Sequence, residues 1–204
     1  MWIFLLTEFM FFGGMFCAYL VMRSWYHPAF VAASNTLNVT LGAVNTIILL
    51  FSSFSMGMAA YNAEMRRKSQ LVSWLFATIV LGVVFLGIKS TEYKEKFDLH
   101  HVPGPNFSIE QFVHPTNPKA IALAPDMAEK TQLYFSLYFA MTGMHALHMI
   151  IGIGILFFLL ARAFKGAYTE GHIMPIENFG LYWHFVDIVW TFLFPLLYLI
   201  SRYR

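Results

Sequence analysis

Five apolar stretches alternate with shorter polar ones along this chain: 2–22, 37–60, 71–88, 133–160 and 176–200. At about 1.5 Å per residue, some twenty residues cover the roughly 30 Å hydrocarbon core, so the pattern predicts five transmembrane helices. Arg23 and a Tyr26-His27-Pro28 turn close the first, and Ala33-Ser-Asn-Thr36 holds the N-cap expected for the second. Lys89 and Glu92 close the third, Arg162 and Lys165 the fourth, Arg202 and Arg204 the fifth. One aqueous segment is substantial. Residues 91–130 carry Pro103, Pro105, Pro115, Pro118 and Pro125, which predicts a folded-back loop with a short helix near Ser108–Phe112. The chain shows no internal repeat and no low-complexity segment. The fold class that follows is an all-α integral membrane protein, one transmembrane domain over 1–204 built as a five-helix bundle.

Composition supports that class and removes others. Of 204 residues, 58% are hydrophobic and only 12% charged, where a soluble domain carries about 25%. A net charge of +2, from basic residues spread along the chain, gives no nucleic-acid surface. The first stretch lacks a basic leader and a small-residue cleavage site, so no cleavable signal peptide is expected. Cys17 is the single cysteine; it excludes an intramolecular disulfide or a cysteine metal cluster and reads as a small packing residue. Arg66, Arg67 and Lys68 in one short loop, with Arg162 and Lys165 in another, place the N-terminus inside and the C-terminus outside.

Candidate chemistry lies in the ionisable groups within the spans, each costly in hydrocarbon. The sequence Phe179-Gly-Leu-Tyr-Trp-His-Phe-Val-Asp-Ile-Val-Trp190 puts His184 and Asp187 on one helix face with Trp183 and Trp190. Glu8 in the first span reads either as a structural hydrogen bond between helices or as a proton-active or lipid-facing carboxylate. Gly14 and Ala18, with Gly13 and Cys17 beside them, offer a surface for close helix approach. His145 and His148 adjoin on the fourth span. With His184 they invite haem or copper ligation, but the favoured reading is a polar knot of His145, His148, His184 and Asp187 that fixes helix packing. Glu92 reads as a helix-end charge as readily as a functional one. His100, His101 and His114 could in principle bind a metal, though docking of the loop on a neighbouring subunit fits better.

Several of these segments together resemble subunit III of the haem-copper oxidases, above all cytochrome c oxidase. The resemblance rests on Thr7-Glu8-Phe9-Met10-Phe11-Phe12-Gly13, Leu81-Gly-Val-Val-Phe85 with Thr91-Glu92-Tyr93, Gly143-Met-His-Ala-Leu-His-Met-Ile-Ile-Gly152, and Tyr182-Trp-His-Phe-Val-Asp-Ile-Val-Trp190. It runs in order along nearly the whole chain and fits the five-helix bacterial form, which lacks the first two of seven helices. It implies a multi-pass protein of the bacterial plasma membrane that packs beside the catalytic subunit I. Haem and copper belong to that partner and no cofactor to this subunit, which supports proton uptake, protects the enzyme in turnover and holds phospholipid. By the same resemblance Glu8 matches a buried, carbodiimide-reactive carboxylate. Arg162 matches an arginine at lipid head groups, as suits a cation at a helix end. Quinol oxidase subunit III and the nitric oxide reductase accessory protein share the pattern. Outside the family, the alternatives are a stand-alone membrane haem electron carrier using the three histidines and a small transporter with its path at Glu8.

Overall fold

In hydrocarbon a backbone must satisfy its own N–H and C=O groups, which is why the apolar stretches fold as helices. The computed structural model describes residues 1–104, 107–114, 122–166, 168 and 173–199. The helices are α1 (Trp2–Trp25), α2 (His27–Ser34), α3 (Val39–Glu64), α4 (Lys68–Asp98), α5 (Glu110–Val113), α6 (Pro125–Glu129), α7 (Thr131–Phe164) and α8 (Met174–Phe194), and a π-helical turn, Pro195–Leu199, continues α8. No strand occurs among the described residues. Five of the helices, α1, α3, α4, α7 (reached through α6) and α8 with its π turn, are long and apolar enough to cross a membrane.

Several boundaries differ from the sequence expectation for physical reasons. The Tyr26-His27-Pro28 turn opens a further short helix, α2, with Pro28 in its first turn, where a missing N–H costs nothing. Asn38 caps the second span in place of the 33–36 segment: its Oδ1 accepts from the backbone N–H groups of Thr40 (3.1 Å) and Leu41 (3.3 Å). Lys89 and Glu92 do not end α4, which runs on to Asp98, because the two are buried and satisfy each other. The short helix expected in the loop is α5. Ile200, Arg202, Arg204, Pro105, Pro115 and Pro118 lie outside the described residues.

Tryptophan against glycine organises the centre of the bundle. A Cβ at Gly152 of α7 would stand 2.8 Å from the Trp183 ring, and one at Gly82 of α4 would stand 3.2 Å from it. The absent side chains therefore let the indole of α8 wedge between α4 and α7, while its Nε1 donates to Ser52 Oγ of α3 at 3.0 Å. Close approach of this kind drives helix association where lipid tails are as apolar as the side chains. α1 sits differently. Of its residues only Phe12 and Tyr19 are buried. Cys17, read as a small packing residue, is exposed in this chain. Gly14 and Ala18 are exposed too, and no atom approaches within 4 Å of a Cβ placed on Gly13 or Gly14. Among the described residues, no helix packs on the small-residue face of α1 at Gly13 and Gly14.

Candidate functional site: polar groups inside the helix bundle

The intramembrane polar residues fall into separate groups. The first joins α1 to α7. Glu8 Oε2 lies 3.1 Å from His148 Nε2. His148 Nδ1 lies 2.8 Å from the carbonyl oxygen of Met144, one turn back. A carbonyl can only accept, so Nδ1 carries the hydrogen and Nε2 is left to face the carboxyl. The pair then needs one proton on either partner: a carboxylic acid donating to the imidazole, or an imidazolium donating to a carboxylate. Phe12 packs on the imidazole at 5.6 Å between ring centroids, and Glu8 keeps a side-chain exposure of 20%. The pair is shielded yet open at one edge.

The second group was not anticipated. Lys89 and Glu92, one turn apart on α4, meet Tyr138 of α7 and Tyr198 of the π turn. Lys89 Nζ donates to Glu92 Oε2 at 2.9 Å, to the Tyr198 hydroxyl at 2.9 Å and to the Tyr138 hydroxyl at 3.2 Å. That accounts for all three hydrogens of the ammonium. Tyr138 donates to Glu92 Oε1 at 2.7 Å, and Tyr198 donates to the same oxygen. The ring of bonds closes on itself. Four aromatic rings, Tyr93, Tyr138, Trp190 and Tyr198, also stand 4.9–5.6 Å from Nζ, a favourable setting for a desolvated cation. The pair is 1–3% exposed, and hydrogen bonds match each of its polar atoms.

Beside this ring, Tyr93 donates to Thr142 Oγ1 at 2.7 Å and Thr142 donates to the Tyr138 carbonyl at 2.6 Å. The π turn takes further bonds from three other helices. Tyr19 of α1 donates to the Leu196 carbonyl (2.9 Å), and Ser34 of α2 (2.8 Å) and Tyr134 of α7 (3.0 Å) both donate to the Leu197 carbonyl. Lys96, likewise buried, donates to the Thr36 carbonyl at 2.7 Å and ties the α2–α3 turn to α4.

The third group lies on the α3–α8 seam. His184 Nδ1 is 2.6 Å from Ser53 Oγ. Asp187, 3% exposed, lies beside Ser53. The polar knot read from sequence is thus not a single network: His148 pairs with Glu8, His184 pairs with Ser53, which lies beside Asp187, and His145 forms no hydrogen bond among the described residues. His145 stands between Phe85 (5.5 Å) and Trp190 (5.1 Å), with both ring nitrogens unpaired. One nitrogen of His184 and both of His148 are engaged, and aromatic rings wall His145. Among the described residues no three His, Cys, Asp or Glu side chains gather closely enough to hold a metal ion.

Outside the spans, Arg162 is exposed near the end of α7, its guanidinium 5.8 Å from the rings of both Phe158 and Tyr168. His101 follows α4 and is buried against Phe135 (5.0 Å, stacked) and Phe112 (5.3 Å). That burial, reinforced by the charge of Lys96, lowers its pKa to about 4.

Comparison with known proteins bears on what these groups serve. The family model described as cytochrome c oxidase subunit III matches residues 1–101 and 126–202. A "Probable quinol oxidase subunit 3" of Staphylococcus haemolyticus is 27% identical over 200 residues, covering 98% of this chain and 87% of that protein. A "Cytochrome c oxidase subunit 3" of Thermostichus vulcanus is 27% identical over 202 residues, covering 98% and 86%. The unmatched stretch coincides with the proline-rich loop, and every polar group described above falls inside the matched segments. With five apolar spans and bacterial relatives, the protein is a multi-pass component of a bacterial plasma membrane. The chain belongs to the cytochrome c oxidase subunit III family.

Proposed function

We propose that the chain is the non-catalytic subunit III of a respiratory haem-copper terminal oxidase, supporting proton uptake and durability of the oxygen-reducing partner, subunit I. Haem and copper reside in that partner. The observation that carries the proton role is the contact of two titratable side chains, Glu8 Oε2 and His148 Nε2 at 3.1 Å, at the edge of the bundle. The N-terminus lies inside and the C-terminus outside, by the cationic loops at Arg66, Arg67 and Lys68 and at Arg162 and Lys165. Arg162, braced between two rings at a helix end, contacts a lipid phosphate. His145, His148, His184 and Asp187 hold helices in place rather than ligate metal.

Two experiments test this reading. The chain is tagged and purified from its native membrane in mild detergent, with the expected outcome that a haem-bearing chain co-purifies. Mass spectrometry of the partners then decides between cytochrome c and quinol as electron donor, an alternative that the relatives' names keep in play. Glu8→Gln keeps the hydrogen bond and removes ionisation. It should leave the complex assembled while slowing proton uptake or shortening its active life. A stoichiometric haem band from this chain alone, or complete loss of oxygen reduction in an assembled Glu8→Gln complex, would contradict the proposal.

A further inference from the structure

We infer that Phe85, His145 and Trp190 form a dry seal that stops protons gathered at the Glu8–His148 contact from crossing the subunit to the Lys89–Glu92 ring. The inference rests on the proton role proposed for Glu8 and adds the structure that confines it.

The two polar groups are strung along one helix. Tyr138, in the ring, and His148, in the contact, are ten residues apart on α7, about 15 Å along its axis. Each group lies next to a more open zone. Glu8 keeps a side-chain exposure of 20%, and Thr91, Lys94 and Glu95, which flank Glu92 on α4, are exposed. From the ring, hydrogen bonding extends one step toward the contact, where Tyr93 donates to Thr142 Oγ1 at 2.7 Å. His145 stands three residues beyond Thr142 and three before His148. Tyr138, Thr142, His145 and His148 thus form a buried polar stripe on α7, the pattern that marks proton relays in membrane bundles. A continuous relay here would dissipate the gradient that a proton-pumping partner builds.

The stripe is broken at His145. That residue is 1% exposed, and neither ring nitrogen has a hydrogen-bond partner among the described residues. Phe85 at 5.5 Å and Trp190 at 5.1 Å wall it, and those two rings, both fully buried, meet edge to face at 4.9 Å. Phe85 offers neither donor nor acceptor, and the Trp190 N–H is committed to Thr46 Oγ1 of α3 at 3.1 Å. Proton transfer needs donors and acceptors in unbroken succession at hydrogen-bond distance. Between Thr142 and His148 that succession is interrupted for about 9 Å along the helix. A charge entering the wall would lose its solvation with no group to replace it.

The test uses the intact complex reconstituted in phospholipid vesicles, with this chain measured per haem for every variant. Phe85→Ser opens the wall from α4 with a small hydroxyl, and His145→Ser opens it from α7. Each should raise passive proton flux about tenfold, the change that a barrier lowered by ~1.4 kcal/mol gives, while uncoupled oxygen reduction per haem stays at the wild-type level. Phe85→Leu keeps the wall apolar and should stay tight. Adding Glu8→Gln to Phe85→Ser should return the flux to the wild-type level, because protons reach the break through Glu8. If neither serine variant retains the chain, the wild-type complex decides: the indole N–H of Trp190, isotopically labelled at that residue alone, should resist exchange in deuterated water for hours, and exchange within minutes overturns the seal. Retained serine variants that stay tight, equal leaks with leucine and serine at position 85, or a leak that Glu8→Gln leaves unchanged also overturn it, and the proton role of Glu8 still stands. That role fails separately if Glu8→Gln on its own alters neither proton uptake nor active life.

Discussion

α1 and α8 are both apolar enough to span a bilayer, yet 11% of the apolar stretch of α1 is buried against 50% for α8. α8 is held by shape: Trp183 fills the space above two glycines, and Trp190 meets Phe85 edge to face at 4.9 Å. Its end is then locked by hydroxyls and charges from α1, α2, α4 and α7. α1 has no such interlocking; its named polar ties are Glu8 to His148 and Tyr19 to the Leu196 carbonyl. Hydropathy therefore says that a helix crosses the membrane, while the placement of small and hydroxyl residues decides what it does there. The helix with the smaller buried surface is the one that carries Glu8, the carboxyl in contact with His148.

The largest effect should come from opening the lock at α8. Glu92→Leu leaves Lys89 buried without its counter-charge, and breaking such a pair costs about 3–5 kcal/mol. Subunit retained per haem after mild heating should fall steeply, and Lys89→Met combined with Glu92→Leu should cost less than the sum of the two single changes. Equal retention of Glu92→Leu and wild type would remove the lock from this account. Gly152→Ala comes next. Its new Cβ meets the Trp183 ring at 2.8 Å, and overpacking of this sort costs about 1–3 kcal/mol. A lowered unfolding temperature, with tryptophan fluorescence shifted from wild type, is the expected reading.

On the α1 side the expectation is milder. His148→Phe deprives Glu8 of its partner at an edge that is still partly open, for about 1 kcal/mol. Protease or crosslinking assays should show α1 loosened while α8 stays protected. A loss as large as that of Glu92→Leu would erase the contrast between the two helices. The smallest effect concerns neither helix but the loop beyond α4. Folded His101 takes up its proton only near pH 4, whereas its ordinary value is 6.5. Between those values the open loop binds a proton that the closed loop excludes, so stability rises with pH up to about 6.5 and is lost as pH falls toward 4. Hydrogen exchange of 99–114 should quicken at pH 5 relative to pH 7 after correction for intrinsic rates, and His101→Phe should abolish that difference.

The five spans were legible because membrane thickness imposes a local rule on length and polarity, and the residue types of the polar site were legible because ionisable groups are rare in such stretches. Pairings were not. Glu8 and His148 were each singled out, but their contact joins residues 140 positions apart by number, which no local pattern encodes. Lys89 and Glu92 read as a helix end because a charge after an apolar run normally meets water. Here Tyr138 and Tyr198, 49 and 109 positions from Lys89, supply the hydrogen bonds instead. Cys17 was misplaced for a related reason: small size suits an interior, but composition does not say which face of α1 turns inward. The Asn38 cap lay within view, a few residues after the segment where a cap was expected.

The π turn has a consequence for the order in which this protein is built. Its Leu196 and Leu197 carbonyls accept hydroxyls from α1, α2 and α7, all of which leave the ribosome well before residue 195. The first span must therefore wait in the membrane, loosely attached, until the last one arrives to fasten it. A chain whose synthesis stops before Pro195 would hold five largely formed spans without the two carbonyls that accept from Tyr19, Ser34 and Tyr134.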